Sequence, residues 1–171
     1  MAIGADCRRH PSILGGIQLT AFDAFDLKLL EKVQCDARAS AEELGAAVGL
    51  SGSAVLRRLK RLRETGVIAR EIAVVAPDRV GPNLRIIATV ELERERADQL
   101  SSLVELLQER PEVQQAYYIS GDADLLLIVI VPEITHYDRL TAELVSKHPM
   151  IKRITTSVVF RELKVGLFVP V

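Results

Sequence analysis

Ser40–Arg70, SAEELGAAVGLSGSAVLRRLKRLRETGVIAR, is the stretch that decides the fold of this 171-residue chain. It holds two short helix patterns joined at Val48-Gly49-Leu50. Ser40 stands where an N-cap is needed. Glu43, three residues on, completes a capping box in which two orphan amides find acceptors. Leu44 and Val48 then lie one turn apart on a single face. Gly49 is the expected stop, because glycine enters the left-handed region without steric cost. Ser51 caps a second helix almost at once. Two helices separated by three or four residues including a glycine form the helix-turn-helix layout.

At about 100° per residue, the second helix gathers Val55, Leu59 and Leu62 within roughly 60° as its buried stripe. Arg57 and Arg61 point away from that stripe, with Ser53 one turn earlier, Lys60 beside them and Arg58 on a flank. A solvated basic face is the plain alternative. Against it, Arg57, Arg58, Lys60, Arg61 and Arg63 face a single acid, Glu64, whereas surface helices usually mix their signs. Double-stranded DNA is the expected partner. Ser51 and Ser53 with the helix N-terminus would hold phosphates, and Arg57 and Arg61 would reach base edges. Arg58, Lys60 and Arg63 would add sequence-independent attraction.

Bulk charge carries little of this argument. The chain has a formal net charge of −1. Residues 1–80 hold 12 Lys and Arg against 10 Asp and Glu, and the rest of the chain leans slightly acidic. A blanket polycation is excluded, and the clustering at Arg57–Arg63 is what matters. Cys7 and Cys35 are too few for a disulfide framework or zinc site, which suits a reducing cytoplasm. No segment approaches the ~20 apolar residues of a membrane span, and Met1–Gln18 lacks the apolar run of a signal peptide. The sequence thus predicts a soluble cytoplasmic protein, with no membrane association, metal or cofactor.

Outward from the helix pair, residues 1–19 show no periodicity and read as a flexible extension, in which Arg8, Arg9 and His10 could touch phosphate. Thr20 or Asp23 opens a helix over FDAFDLKLLEKVQ. Phe22, Phe25, Leu29, Leu30 and Val33 are its expected core face; Asp23, Asp26 and Glu31 read as N-terminal charge and solvated surface. After the basic helix, Val67–Ala76 is rich in Val and Ile and reads as a strand or short hairpin, the wing of a winged helix, with Arg70 directed toward phosphate. Residues 20–76 would form this DNA-binding domain, and residues 77–83, with Pro77, Gly81 and Pro82, a hinge.

From Leu84 the pattern changes. LRIIATVEL, VQQAYYIS, LLLIVIV and IKRITTSVVF read as strands. A helix over Asp98–Arg110, with Leu100, Leu103, Val104 and Leu107 on one face, follows the first strand. Another, running to His148, follows the third. The β-α-β-β-α-β order is the ferredoxin-like arrangement, so the fold class is α+β, with residues 84–171 as a separate domain. Leu125–Val131 is apolar at every position, which calls for burial on both faces. Two helices cover one face of a four-stranded sheet. A second copy in an isologous dimer would cover the other; the chain's own tail is the alternative.

The chain resembles the Lrp/AsnC (leucine-responsive regulatory protein) family through Asp23–Leu30, Asp36-Ala37-Arg38, Leu44, Gly49-Leu50-Ser51, Arg57–Leu62, Gly66-Val67-Ile68 and Gly121–Leu126. The resemblance covers about residues 20 to 165 and implies a prokaryotic transcription regulator. It implies homodimers that assemble to octamers, and a small-molecule effector, an amino acid or related metabolite. It places that effector around Ser120, Gly121, Asp122 and Asp124, facing Thr155, Thr156 and Ser157. Turn amides can hold a carboxylate and an aspartate an ammonium, while plain turn chemistry also accounts for Asp122 and Asp124. Family members often carry Tyr or Phe after the turn aspartate, where this chain has Leu125, so effector identity does not transfer.

Siroheme decarboxylases resemble the same two-domain layout, so an enzyme is the alternative reading, as is a metabolite-binding protein without DNA contact. The residues favour no catalysis. His10 lies in the extension, and His136 and His148 bracket the last helix as surface or cap residues. The sequence offers no Cys/His cluster, serine triad or phosphate-cradling glycine loop.

Overall fold

The computed structural model describes residues 22–93 and 100–171. Expectations for residues 1–19, for Thr20 and for a helix start at Asp98 lie outside them. Among the described residues the chain divides into two units, one of residues 22–74 with 164–171, the other of residues 75–163.

The first unit is built on α1 (Ala24–Cys35), α2 (Ala41–Val48) and α3 (Gly52–Glu64). Each start is capped as its sequence dictates. Asp23 caps α1 in a capping box with Asp26, Ser40 caps α2 in a box with Glu43, and Ser51 caps α3. Gly49 ends α2 at φ 79°, in the left-handed region. The turn is also tight at Gly45, where a Cβ would stand 2.4 Å from the Leu50 carbonyl oxygen. Leu29, Leu30, Leu44, Val48, Val55, Leu59 and Leu62 form the core.

Three expectations for this unit are corrected. Phe22 and Phe25 are each 39% exposed and sit outside the core, while Asp26, read as solvated, is 1% exposed. The helical period explains it: Asp26, Leu29, Leu30 and Val33 are spaced i, i+3, i+4, i+7, so Asp26 lies on the buried stripe itself. The wing is absent as a strand. The Ile68 amide donates to the Leu62 carbonyl (3.0 Å), turning the chain so that Val67 and Ile68 pack on the core. Residues 69–76 then form no strand, because no ladder partner lies beside them among the described residues. The last residues, expected in the second domain, belong here. The Gln34 side chain donates to the Val169 carbonyl (3.0 Å) and accepts from the Val169 amide (2.7 Å).

The second unit holds β1 (Leu84–Leu92), α4 (Leu100–Glu109), β2 (Val113–Tyr118), β3 (Leu125–Val131), α5 (Ile134–Lys147) and β4 (Ile151–Val158). The sheet order is β2-β3-β1-β4 with every pair antiparallel, the ferredoxin-like topology. Ile86, Ala88 and Val90 of β1 and Leu125, Leu127, Val129 and Val131 of β3 pack with Leu103 and Leu107 of α4 and Tyr137, Leu140 and Leu144 of α5. In α4, Val104 is exposed rather than on the core face. Alternation puts Leu126, Ile128 and Ile130 on the opposite face, where in the single chain they are only half-buried.

His148, read as a surface or cap residue, takes the C-cap position of α5 but is buried, 7% exposed. Burial, and secondarily the Lys147 charge, hold its imidazole below the usual 6.5. The unfolded chain therefore takes up a proton that the folded chain refuses, and stability falls as pH drops below that value. Urea unfolding of the second unit at about pH 7.5 and about pH 5 should show this loss, and His148→Gln should reduce it.

Candidate nucleic-acid interface and effector cleft

The outward face of α3 is set by what its cations already hold. Arg58 donates to Asp23 (2.7 Å) and to Asp26 (2.8 Å), and Arg61 donates to Asp26 at 2.5 Å. The Arg58 guanidinium also lies 5.7 Å from the Phe25 ring centroid. Asp26 is thus a buried carboxylate shared by two arginines, and it ties α1 to α3. Asp23 is held below the usual carboxylate range, first by the Asp26 amide and then by Arg58. Arg63 pairs with Glu71 (2.7 Å) and Lys60 more loosely with Glu64 (3.7 Å).

Arg57 is the one α3 cation with no ion pair among the described residues. It is exposed, as are Ser53 and Lys60, and the three lie along one strip of the helix. The Ser51 hydroxyl accepts from the Ala54 amide (3.3 Å) and lies 3.2 Å from the Ser53 hydroxyl, so both serines stand at the helix start. The six residues expected at DNA therefore divide. Ser51, Ser53, Arg57 and Lys60 face outward, while Arg58 and Arg61 are engaged with Asp26. The signal in the sequence was Asp26 on an apolar stripe, with two arginines three residues apart on α3.

In the second unit, the turn between β2 and β3 frames a cleft of ≈ 400 Å³ lined by Leu92, Tyr118, Ser120, Gly121, Asp124 and Met150, among others. Asp124 is structural as well as exposed to the cleft. Its carboxylate accepts from the Leu92 amide (2.7 Å), its own amide donates to the Val90 carbonyl (2.9 Å), and its carbonyl accepts from the Ile119 amide (2.8 Å). Asp122 is exposed and does not line the cleft.

Thr155 and Thr156, expected opposite the turn, are not brought to it. The register sets them against Thr89 and Ala88, whereas the turn is anchored at Val90 and Leu92. Being consecutive in a strand, they point to opposite faces. The Thr156 hydroxyl lies 2.7 Å from the Tyr137 hydroxyl on the helix side. Leu92, Tyr118 and Met150 complete the cleft and were missed, because no local pattern distinguishes them from core residues.

A larger groove of ≈ 590 Å³ lies beside Pro77–Asn83, over Arg85 and Glu162. Those two form an ion pair (2.7 Å), and Asp78 is the other charged residue of its lining. No three His, Cys, Asp or Glu side chains cluster as a metal site would require among the described residues. No helix among them is long and apolar enough to cross a membrane.

Comparison with known proteins gives both units a family. Residues 22–63 match the AsnC-type helix-turn-helix domain, and residues 85–166 the Lrp/AsnC ligand binding domain. An HTH-type transcriptional regulator of Sinorhizobium fredii is 40% identical over 149 residues, 87% of this chain and 88% of that protein. An AsnC family transcriptional regulator from Agrobacterium tumefaciens superposes with a TM-score of 0.80 at 30% identity, over 87% of this chain and 97% of that one. A transcriptional regulator from Neisseria meningitidis, solved as a complex with L-Met, gives 0.80 at 25% identity, over 88% and 97%. With both domains present in this order, the chain belongs to the Lrp/AsnC family of helix-turn-helix transcriptional regulators.

Proposed function

We propose that two copies of this chain pair through the β1–β4 sheet of the second unit and set their α3 helices into successive major grooves, roughly 34–36 Å apart on one face of a DNA duplex. The observation that carries this reading is the charge state of α3. Four of its five cations have carboxylate partners, and Arg57, beside Ser53 and Lys60, has none among the described residues. In this reading Arg57 takes a base edge, Ser51 and Ser53 hold phosphates, and Lys60 adds attraction at the backbone. Arg58 and Arg61 fix the helix in place. Residues 20–76 act as the DNA-binding domain and residues 77–83 as the hinge. The protein works in the cytoplasm and has no catalytic role.

Pairing follows from the second face of the sheet. Ile87 is 37% and Tyr117 49% exposed beside the half-buried Leu126, Ile128 and Ile130, an apolar strip that the two helices do not cover. Isologous contact between two such faces makes the dimer, and dimers assemble further toward an octamer. Ile128→Glu would place an unpaired carboxylate in that contact. We expect it to raise the dimer dissociation constant at least about tenfold, a cost of roughly 1.4 kcal/mol or more, read by sedimentation velocity.

The effector is an amino acid or a related metabolite, held in the cleft at Ser120, Gly121 and Asp124, with Asp122 left outside it. Turn amides meet its carboxylate and Asp124 its ammonium. The L-Met complex of the Neisseria relative supports this class of ligand. The effector acts by its different affinity for two assemblies with differently spaced heads.

Fluorescence anisotropy with DNA upstream of the chain's own gene, against shuffled DNA at two salt concentrations, tests the reading. Selective binding that survives the higher salt supports it. Equal binding erased by salt would reduce α3 to a basic surface. Thermal shifts with the standard L-amino acids test the sensing half, which fails if none alters either melting or assembly size.

A further inference from the structure

We infer that Leu56 is a specificity-determining residue that reads the 5-methyl group of a thymine beside the base taken by Arg57. The inference rests on the placement of α3 in the major groove proposed above. Four large apolar side chains lie on α3. Val55, Leu59 and Leu62 are 0%, 5% and 0% exposed, and Leu56 is 58% exposed. The core stripe accounts for the first three and leaves Leu56 out.

Its neighbours place it at the reading surface. Ser53, Leu56, Arg57 and Lys60 are spaced i, i+3, i+4, i+7, so they form one continuous strip. Long side chains on a helix lean toward its N-terminus, which carries Leu56 over the Gly52–Ser53 turn. That turn has only small side chains, and it is the end of a recognition helix that approaches base edges. Nothing there screens the leucine from a groove floor.

Chemistry then selects the base. A leucine neither donates nor accepts hydrogen bonds, and thymine alone offers an apolar group in the major groove. Set against the amino group of cytosine or adenine, Leu56 would displace water without replacing its hydrogen bond. Arg57, on the same strip, matches the O6 and N7 acceptors of guanine. The half-site read by this strip therefore holds a thymine close to a guanine.

The test uses the full chain and duplexes it selects from a random-sequence library. Each thymine of a selected duplex is replaced in turn by deoxyuridine, which keeps every hydrogen-bonding group and lacks only the methyl. At one thymine per half-site, the methyl loss should weaken wild-type binding roughly fourfold, the size expected for one buried methyl-sized group. Leu56→Ala should bind both duplexes equally, and Leu56→Met should keep the preference. Because Leu56 lies outside the core, Leu56→Ala should fold as the wild type does. A wild type indifferent to every deoxyuridine substitution overturns the inference, as does a Leu56→Ala variant that keeps the wild-type preference. If selection enriches no sequence, the groove placement itself falls and this assignment with it.

Discussion

Asp26→Ala is expected to destabilise the helical unit by about 2–4 kcal/mol, seen as a lower melting temperature of that unit by circular dichroism. The carboxylate is 1% exposed and accepts from both Arg58 and Arg61. Removing it leaves two guanidiniums facing each other across an emptied site. Breaking a fully buried pair costs more, but side-chain exposures of 20% for Arg58 and 46% for Arg61 let water recover part of the loss. A double-mutant cycle with Arg58→Ala isolates the contact, since coupled partners lose less together than the sum of their separate losses. An additive cycle, or an unchanged melt in Asp26→Ala, would show that the carboxylate does not hold α1 to α3. The same variant frees Arg61, while Arg58 keeps Asp23, so its binding to non-specific DNA should fall more steeply with salt than the wild type's.

Arg57→Ala is expected to act on DNA and leave stability alone. Its side chain is exposed and makes no ion pair among the described residues, so folding loses little. A bidentate contact to guanine is worth about 1–3 kcal/mol, roughly a five- to 150-fold loss of affinity for a selected duplex. Shuffled DNA should be much less affected, and the preference at one base position should relax. Uniform loss on every sequence, with the salt slope lower by about one, would reassign Arg57 to the phosphate backbone. Arg61→Ala gives the contrast. With its guanidinium on Asp26, it should lower the melting temperature first and affect DNA binding through the placement of α3.

The two substitutions separate what was legible in the sequence from what was not. The capping box of Ser40 and Glu43, the stop at Gly49 and the stripe of Val55, Leu59 and Leu62 were all readable in advance. Each depends on residues within two turns of one another, where local geometry decides the outcome. The β-α-β-β-α-β order was readable for the same reason, since period and turn chemistry mark each element. So the sequence by itself determined the three helices of the first unit, the order of strands and helices in the second and the basic character of α3.

The tertiary structure decided which charges that helix keeps for a partner. Asp26 looks like a first-turn acid until α3 brings Arg58 and Arg61 onto it, because burial of a charge depends on what another element supplies. Ladder partners decide in the same way. Val67–Ala76 has the composition of a strand and forms none, and register turns Thr156 toward Tyr137 and away from the turn at Gly121. The last residues bind Gln34, more than a hundred positions away in the chain. Contacts of that range are set by packing, and no local pattern records them.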